Sequence, residues 1–371
     1  MEITFSEERE ELRRSVRRFM DDKSPTSEVR RLMETADGYD PEVWSQMANQ
    51  LGLQGLAIPE RFGGSGYGFE ELAIVFEEMG RSLLCAPFFS TIALAASALL
   101  ASNDEAAMAK YLPGIAAGTT FATLAFSEPS GAWEIEKITT SAVKSADGYV
   151  LSGAKSFVID GGIADLLLVT ALSEKGLSLF AVNSSAPGVI VTPLSTMDLT
   201  RKQSLIEFND VSGELVGEEG AAGTFVTKAL QLASTALAAE QVGGAECVLD
   251  LSVEYAKVRI QYGRPIGSYQ AIKHKCSDML VQVETGRSAS LYATWAAASD
   301  SDELPVASSL AKAYCSEAYL KCAAENIQIH GGIGFTWEHD AHLYFKRAKS
   351  TEILLGLPSY HRELLARLVG M

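Results

Sequence analysis

Ile327-Gln328-Ile329-His330-Gly331-Gly332-Ile333-Gly334-Phe335-Thr336 closes a long helical pattern on a glycine pair. Taken alone, Gly331-Gly332 reads as a helix C-cap, because glycine enters the left-handed backbone region without a Cβ clash. Further upstream, Val258-Arg259-Ile260-Gln261-Tyr262-Gly263-Arg264-Pro265-Ile266 ends a second helical pattern, and Arg259 alone reads as a solvated helix-end cation. Around these two segments Phe225 to Arg259, Tyr269 to Ala298, Pro305 to His330 and Ser359 to Val369 keep the helical period. Several exceed the usual globular helix length, and long neighbouring helices predict a four-helix bundle over residues 223–371.

The remainder divides by pattern. Residues 1–118 read as helices. Ser6 can cap a helix from Glu7, Glu42 to Leu51 follows Asp40-Pro41, and Phe69 to Leu84 carries Leu72, Val75, Phe76 and Met79 at helical spacing. Phe62-Gly63-Gly64-Ser65-Gly66-Tyr67-Gly68 is a turn, since no P-loop lysine follows. Over residues 119–222 the runs Phe121 to Ser127, Tyr149 to Ser152, Ala164 to Leu172, Leu177 to Val182, Val189 to Pro193 and Ser204 to Val211 are short and β-rich. Turn signals such as Ala186-Pro187-Gly188 separate them. The expected architecture is an α+β multidomain chain: an all-α N-terminal domain, a central β-barrel-like domain and the C-terminal bundle.

Composition narrows the function. A formal charge of −16 argues against a sequence-independent grip on nucleic acid, which needs clustered Lys and Arg. Apolar runs stop short of membrane-span length, and the acidic opening is unlike a signal peptide, so a cytoplasmic protein with no membrane span is expected. Cys85, Cys247, Cys276, Cys315 and Cys322 form no CxxC pair and read as free thiols. His339 and His342 lack any HExxH or cysteine support for a metal, and no G-x-S-x-G supports a serine hydrolase.

Together, the Gln328–Gly332 and Arg259–Ile266 segments resemble the C-terminal signatures of the acyl-CoA dehydrogenase family, and the helix–β–helix order resembles that family's layout over essentially the whole chain. The resemblance implies FAD as cofactor, because dehydrogenating a saturated acyl thioester requires a hydride acceptor that no side chain offers. It implies that FAD lies between subunits. Arg259 would meet the pyrophosphate of the neighbour's FAD, and Tyr262 and Gln270 would lie near the adenine end. Gln328, Gly331 and Gly332 would form the segment whose backbone approaches the dinucleotide. On the isoalloxazine side it implies Phe126 and Ser127, then Phe157 and Ile159. Here the chain departs from the pattern: Trp133 replaces a small polar residue, and Ile159 replaces a hydroxyl residue whose side chain bonds the flavin.

The family's catalytic base is missing. Abstracting the α-proton of a thioester needs a carboxylate against Cα. The resemblance puts that glutamate at Leu355 or at Ala233 in this chain, and neither side chain can take a proton. Glu240, seven residues after Ala233, falls on the same helix face about 10 Å along and could replace it. Glu352 is a weaker candidate. Some actinobacterial members, notably those acting on steroid side chains, are α2β2 heterotetramers in which one subunit type lacks the glutamate. The leading expectation is such a subunit: acyl-CoA is the substrate, the glutamate comes from the partner, and an electron-transferring flavoprotein takes up the electrons. A self-sufficient homotetramer using Glu240 and a flavin-free structural subunit are the alternatives.

Overall fold

The structure, a computed structural model, describes residues 6–146 and 148–371. In chain order the first helices are α1 (Glu7–Lys23), α2 (Thr26–Met33), α3 (Pro41–Asn49), α4 (Phe69–Arg81), α5 (Ser97–Ser102, continuing a π-helical segment Phe89–Ala96) and α6 (Glu105–Ala116). The strands β1 (Ala122–Ala125), β2 (Ser141–Ser145), β3 (Gly148–Ile159), β4 (Leu166–Ser173), β5 (Gly176–Asn183), β6 (Val189–Pro193) and β7 (Gln203–Val216) follow. Helix α7 (Ala222–Val258) leads into a small hairpin, β8 (Ile260–Gln261) and β9 (Arg264–Pro265). The chain closes with α8 (Gln270–Ala298), α9 (Leu304–His330), α10 (Ala341–Ile353) and α11 (Pro358–Leu368).

These elements pack into two compact units, each discontinuous in sequence. One comprises Met1–Arg30, Phe69–Leu84 and Ser234–Met371, the other Arg31–Gly68 and Cys85–Ala233.

The helical unit is built around α7. Every residue from Ser234 to Ala245 is buried, and half are Ala or Gly, so neighbouring helices come close to its backbone. A Cβ on Gly80 of α4 would lie 2.0 Å from Glu240 O, and one on Gly243 of α7 would lie 1.8 Å from Glu77 O. The two glycines face each other's helix and let the backbones touch. A Cβ on Gly244 would in turn meet the Tyr319 ring of α9 at 2.5 Å. Ion pairs tie α1 to this crossing: Arg13 reaches Glu77 and Glu78 at 2.8 and 2.9 Å, and Arg17 reaches Glu78 at 2.7 Å. Ser6 caps α1 by accepting from Arg9 N–H at 3.2 Å, as its sequence position predicts.

In the sheet unit the strand order is β1-β4-β2-β3-β7-β5, and β5 pairs back onto β4, so the sheet closes on itself; β6 pairs with β7. The central member β7 alternates buried and solvent-facing residues along most of its length, the period-2 signature of a strand with one face in the core. Tyr149, Leu151, Leu167, Val169, Phe180 and Phe208 fill the interior. Polar anchors bind α3 and the π-helical segment within this unit: Trp44 Nε1–H donates to Gly118 O at 2.8 Å, and Ser90 Oγ lies 2.6 Å from an Asp160 carboxylate oxygen.

Several boundaries differ from the sequence expectation. The run predicted as Tyr149 to Ser152 continues to Ile159, past register irregularities at Gly153 and between Lys155 and Val158 that interrupt its alternation. Strand β2 has only two apolar residues in five, and pairing with β3 determines it. Helix α10 went unread because a buried Arg347 occupies its inward stripe, where a pattern search expects an apolar residue.

Replacing Gly243 or Gly80 with alanine tests the helix crossing. Alanine favours an isolated helix by about 1 kcal/mol, but the added methyl overlaps backbone, and overpacking costs about 1–3 kcal/mol or more. Both variants are expected to lower the thermal unfolding midpoint. An unchanged or raised midpoint would show that the helices separate freely.

Candidate functional site

In the helical unit, α7 ends where Arg259 N–H donates to Tyr255 O, and the chain turns back through the β8–β9 hairpin. The two hairpin loop residues, Tyr262 and Gly263, have φ of 51° and 80°. Positive φ at both central positions matches the right-handed twist of the flanking strands, which is why glycine belongs there and why Tyr262 carries strain. The Tyr262 ring is 93% exposed and touches Tyr269 only edge-on, centroids 6.5 Å apart. Val258, Ile260 and Phe335 also present apolar side chains to solvent.

Arg259, Tyr262, Gly331 and Gly332 come together with Tyr255, Tyr269 and His330 around one open cleft of about 380 Å³. Gln270 and Gln328 are exposed on the same unit but do not line the cleft. Among the described residues none forms an ion pair with the exposed Arg259 guanidinium. Gly331 caps α9 at φ 65° and ψ −142°, a backbone region that glycine enters without a Cβ clash, whereas Gly332 has no positive φ. A Cβ at either position would meet nothing within 4 Å. Among the described residues no contact requires glycine at Gly332, and the space beside its backbone is open. A cation, an exposed aromatic ring and an uncluttered backbone fit a dinucleotide: guanidinium to phosphate, ring to base, N–H groups to phosphate oxygens.

In the sheet unit, Phe126 and Ser127 follow β1 and are buried; Ser127 O accepts from Ser156 N–H at 2.9 Å. Ser127 Oγ is buried and has no hydrogen-bond partner among the described residues, which fits a ligand atom at that point. Phe157 sits at the register irregularity with φ 58° and is 42% exposed. Ile159 is 3% exposed and turns into the core, while its carbonyl accepts from Thr123 Oγ1 at 2.8 Å. Phe157 is therefore presented outward and the Ile159 side chain is packing. Trp133 lies against Phe126, centroids 5.8 Å apart and planes at 42°, so the indole fills space beside Phe126.

A clamp that sequence reasoning missed fixes this loop. Glu128 accepts from the backbone N–H and hydroxyl of both Thr139 and Thr140, at 2.6–3.0 Å, and from Lys155 Nζ at 2.9 Å. Lys155 Nζ also donates to Phe126 O at 3.3 Å. Burial by itself would raise the Glu128 carboxyl, but bonds from Thr139, Thr140 and Lys155 outweigh it and hold it at about 2. Burial pushes the Lys155 ammonium down to about 8, with Glu128 opposing. A charged residue inside an otherwise apolar strand was the available signal.

The two base positions are buried and apolar. Ala233 lies in α7, and Leu355 occupies the turn between α10 and α11 with φ 61°. Three neighbouring carbonyls lock that turn: Leu355 O lies 2.9 Å from His361 Nε2, and Lys312 Nζ donates to Glu352 O and Gly356 O at 3.1 Å each. Both carboxylates nominated as substitutes are engaged. Glu240, buried, accepts from the fully buried Arg347 at 2.8 Å, and Glu352 pairs with Lys349.

The Glu128 clamp predicts an acid-sensitive step. Its carboxyl titrates near 2 folded against an ordinary 4.5, so its stabilisation is complete above pH 4.5 and is lost as pH falls towards 2. Glu128→Gln is expected to cost about 3 kcal/mol at pH 7, by leaving Lys155 buried with a weaker partner. It should also flatten the stability profile between those pH values in denaturant titrations. A profile as steep as the parent's would mean that other carboxylates carry the acid limb.

Comparison with known proteins gives the family. Its domain models match in order: acyl-CoA dehydrogenase N-terminal domain at residues 6–119, middle domain at 123–211 and C-terminal domain at 223–370. Acyl-CoA dehydrogenase IpdE2 of Mycolicibacterium smegmatis is 36% identical over 98% of both chains. Among solved structures, a chain of the Tcur3481-Tcur3483 steroid ACAD is 30% identical at a TM-score of 0.89, covering 99% of this chain and 98% of that one. A chain of the ChsE4-ChsE5 complex from Mycobacterium tuberculosis is 28% identical at 0.91, covering 100% of both. With three domain models in order along the chain and a relative 36% identical over nearly its whole length, this chain belongs to the acyl-CoA dehydrogenase family, oxidoreductases acting on the CH–CH bond of acyl-CoA thioesters.

Proposed function

We propose that this chain is the subunit of an α2β2 acyl-CoA dehydrogenase that supplies the adenine-side half of the FAD site, while the partner subunit type supplies the catalytic glutamate. The observation that carries this reading is an asymmetry within one chain. The cleft with Arg259, Tyr262, Gly331 and Gly332 is open and presents a cation, an exposed ring and bare backbone, whereas both base positions, Ala233 and Leu355, are buried and apolar. Trp133 filling the space beside Phe126 supports it further, as do two structural neighbours that are themselves pairs of differently named chains. The Tcur3481-Tcur3483 neighbour, a steroid ACAD, also favours a bulky, steroid-derived acyl group over a short one.

In this reading Arg259 would hold the pyrophosphate through its guanidinium, which can pair with phosphate oxygens. Gly331 and Gly332 offer N–H donors with no side chain in the way, and Tyr262 covers an aromatic face of the nucleotide. Ser127 Oγ supplies a hydrogen-bonding group on the sheet side. FAD, when bound, accepts the β-hydrogen of the acyl group as hydride, and the α-hydrogen leaves as a proton to the partner's carboxylate. Electrons then pass to an electron-transferring flavoprotein.

The self-sufficient alternative requires Glu240 to be the base. Its pairing with Arg347 argues for a structural role, because a carboxylate engaged by a buried guanidinium gives up that bond when it takes a proton. Glu240→Gln is expected to lower stability by about 3–5 kcal/mol and to leave the flavin reduction rate of the assembled enzyme within a few-fold of the parent. A general base at this position would instead cost about 10²–10⁴ in rate.

The division of the site itself is tested by anaerobic bleaching of bound flavin with a panel of acyl-CoAs. The chain purified alone is expected to be colourless, and to become yellow and bleachable when co-expressed with a glutamate-bearing dehydrogenase subunit. A chain that is yellow and bleaches alone refutes the heteromer. One that stays flavin-free in an active complex whose partner binds all the FAD contacts favours the purely structural subunit.

A further inference from the structure

The floor of the dinucleotide cleft holds a side chain without an assigned task. His330 is the last residue of α9; it is buried and lines the cleft with Arg259, Tyr262 and Gly332. Its ring is fixed on several sides. Tyr255 stacks on it with centroids 4.2 Å apart and 29° between planes, and His339 tilts against it at 4.4 Å. Nδ1 lies 2.8 Å from Asn326 O. A Cβ on Gly334 would come within 2.8 Å of His330 Cβ, so the turn after α9 folds directly over the residue.

This geometry sets the tautomer. A carbonyl oxygen only accepts, so Nδ1 carries the proton, and the Nε2 atom of the neutral ring keeps a lone pair. Burial lowers the affinity of the ring for a second proton; the Asn326 carbonyl opposes this and His339 adds to it. The titratable and charged groups facing the ring are Tyr255, His339 and, across the cleft, Arg259, and none of them offers a negative charge near neutral pH. The cleft therefore combines donors, namely the Arg259 guanidinium and the glycine N–H groups, with an acceptor on a ring whose orientation is fixed. Phosphate oxygens only accept, so they match the donors and are repelled by the lone pair. The nucleoside half of a dinucleotide carries donors: the adenine amino group and the ribose hydroxyls.

We propose that His330 Nε2 is the acceptor with which this cleft reads a hydrogen-bond donor on the adenosine half of its dinucleotide. The inference rests on the dinucleotide reading above and adds a recognition residue to it.

The test uses the assembly in which the chain binds flavin, stripped of FAD, with ADP and inosine diphosphate as calorimetric probes. Inosine diphosphate keeps the ribose and phosphates but lacks the amino group. The parent is expected to prefer ADP. His330→Phe keeps a stacking ring, removes the acceptor and is expected to weaken ADP about tenfold, the loss of roughly one net hydrogen bond. His330→Gln returns an acceptor and is expected to recover most of the affinity. If the ribose is the donor, His330→Phe weakens both probes alike and His330→Gln rescues both, which also supports the assignment. ADP affinity unchanged in His330→Phe overturns it, as does weakening that glutamine does not rescue. Parental affinity that rises on acidification, and does not in His330→Phe, overturns it too, since the ring would then be a cation on phosphate. A parent assembly that binds neither ADP nor FAD refutes the dinucleotide reading and this inference with it.

Discussion

The helical unit depends on one close approach. Gly80 and Gly243 let the backbones of α4 and α7 touch, at positions where any side chain would overlap a carbonyl of the opposite helix. This contact places Glu240, whose own carbonyl Gly80 meets, in the most crowded part of the unit. There its side chain finds Arg347 of α10, and a few residues along Glu77, Glu78 and Glu246 gather Arg13, Arg17, Arg81 and Arg287. Burying charge is costly unless it is paired and hydrogen-bonded. Here the charges sit at the crossings, so they fix which helix meets which, while the Ala and Gly surfaces supply the close fit.

Two loops show how a protein keeps backbone shape apart from chemistry. The segment after β1 is pinned by Glu128 and Lys155, and the Leu355 turn by Lys312 and His361. Burial pushes the Lys312 ammonium down to about 7 against the pull of Glu352, and puts His361 at about 4, so neither contact comes without cost. A leucine at φ 61° adds strain of its own. The turn is thus as firmly held as one that positions a reacting group, although its side chain has none.

Much of this was legible in the sequence, for identifiable reasons. Long helices announce themselves by period, and the segments around Arg259 and Gly331-Gly332 pointed to one cleft because a helix-end cation and a glycine pair are local signals. What stayed hidden was pairing between distant residues. Nothing local ties Glu240 to Arg347, or Glu128 to Lys155, and a charged residue on an inward stripe erases the pattern that would reveal α10. The role of Phe157 against Ile159 also turned on geometry: a register irregularity in β3 decides which of the two faces outward. Gln270 and Gln328 match their motifs in sequence, yet the cleft walls are made by Tyr255, Tyr269 and His330.

The hairpin that carries Tyr262 has a consequence for the free chain. Val258, Ile260, Tyr262 and Phe335 all leave large apolar surfaces in water, and one of them rides on a tight turn with little to shield it. Surfaces of that kind invite promiscuous sticking until something covers them. Left uncovered at high concentration, such a surface favours self-association and aggregation, so the concentration of the free chain matters as much as the stability of its fold.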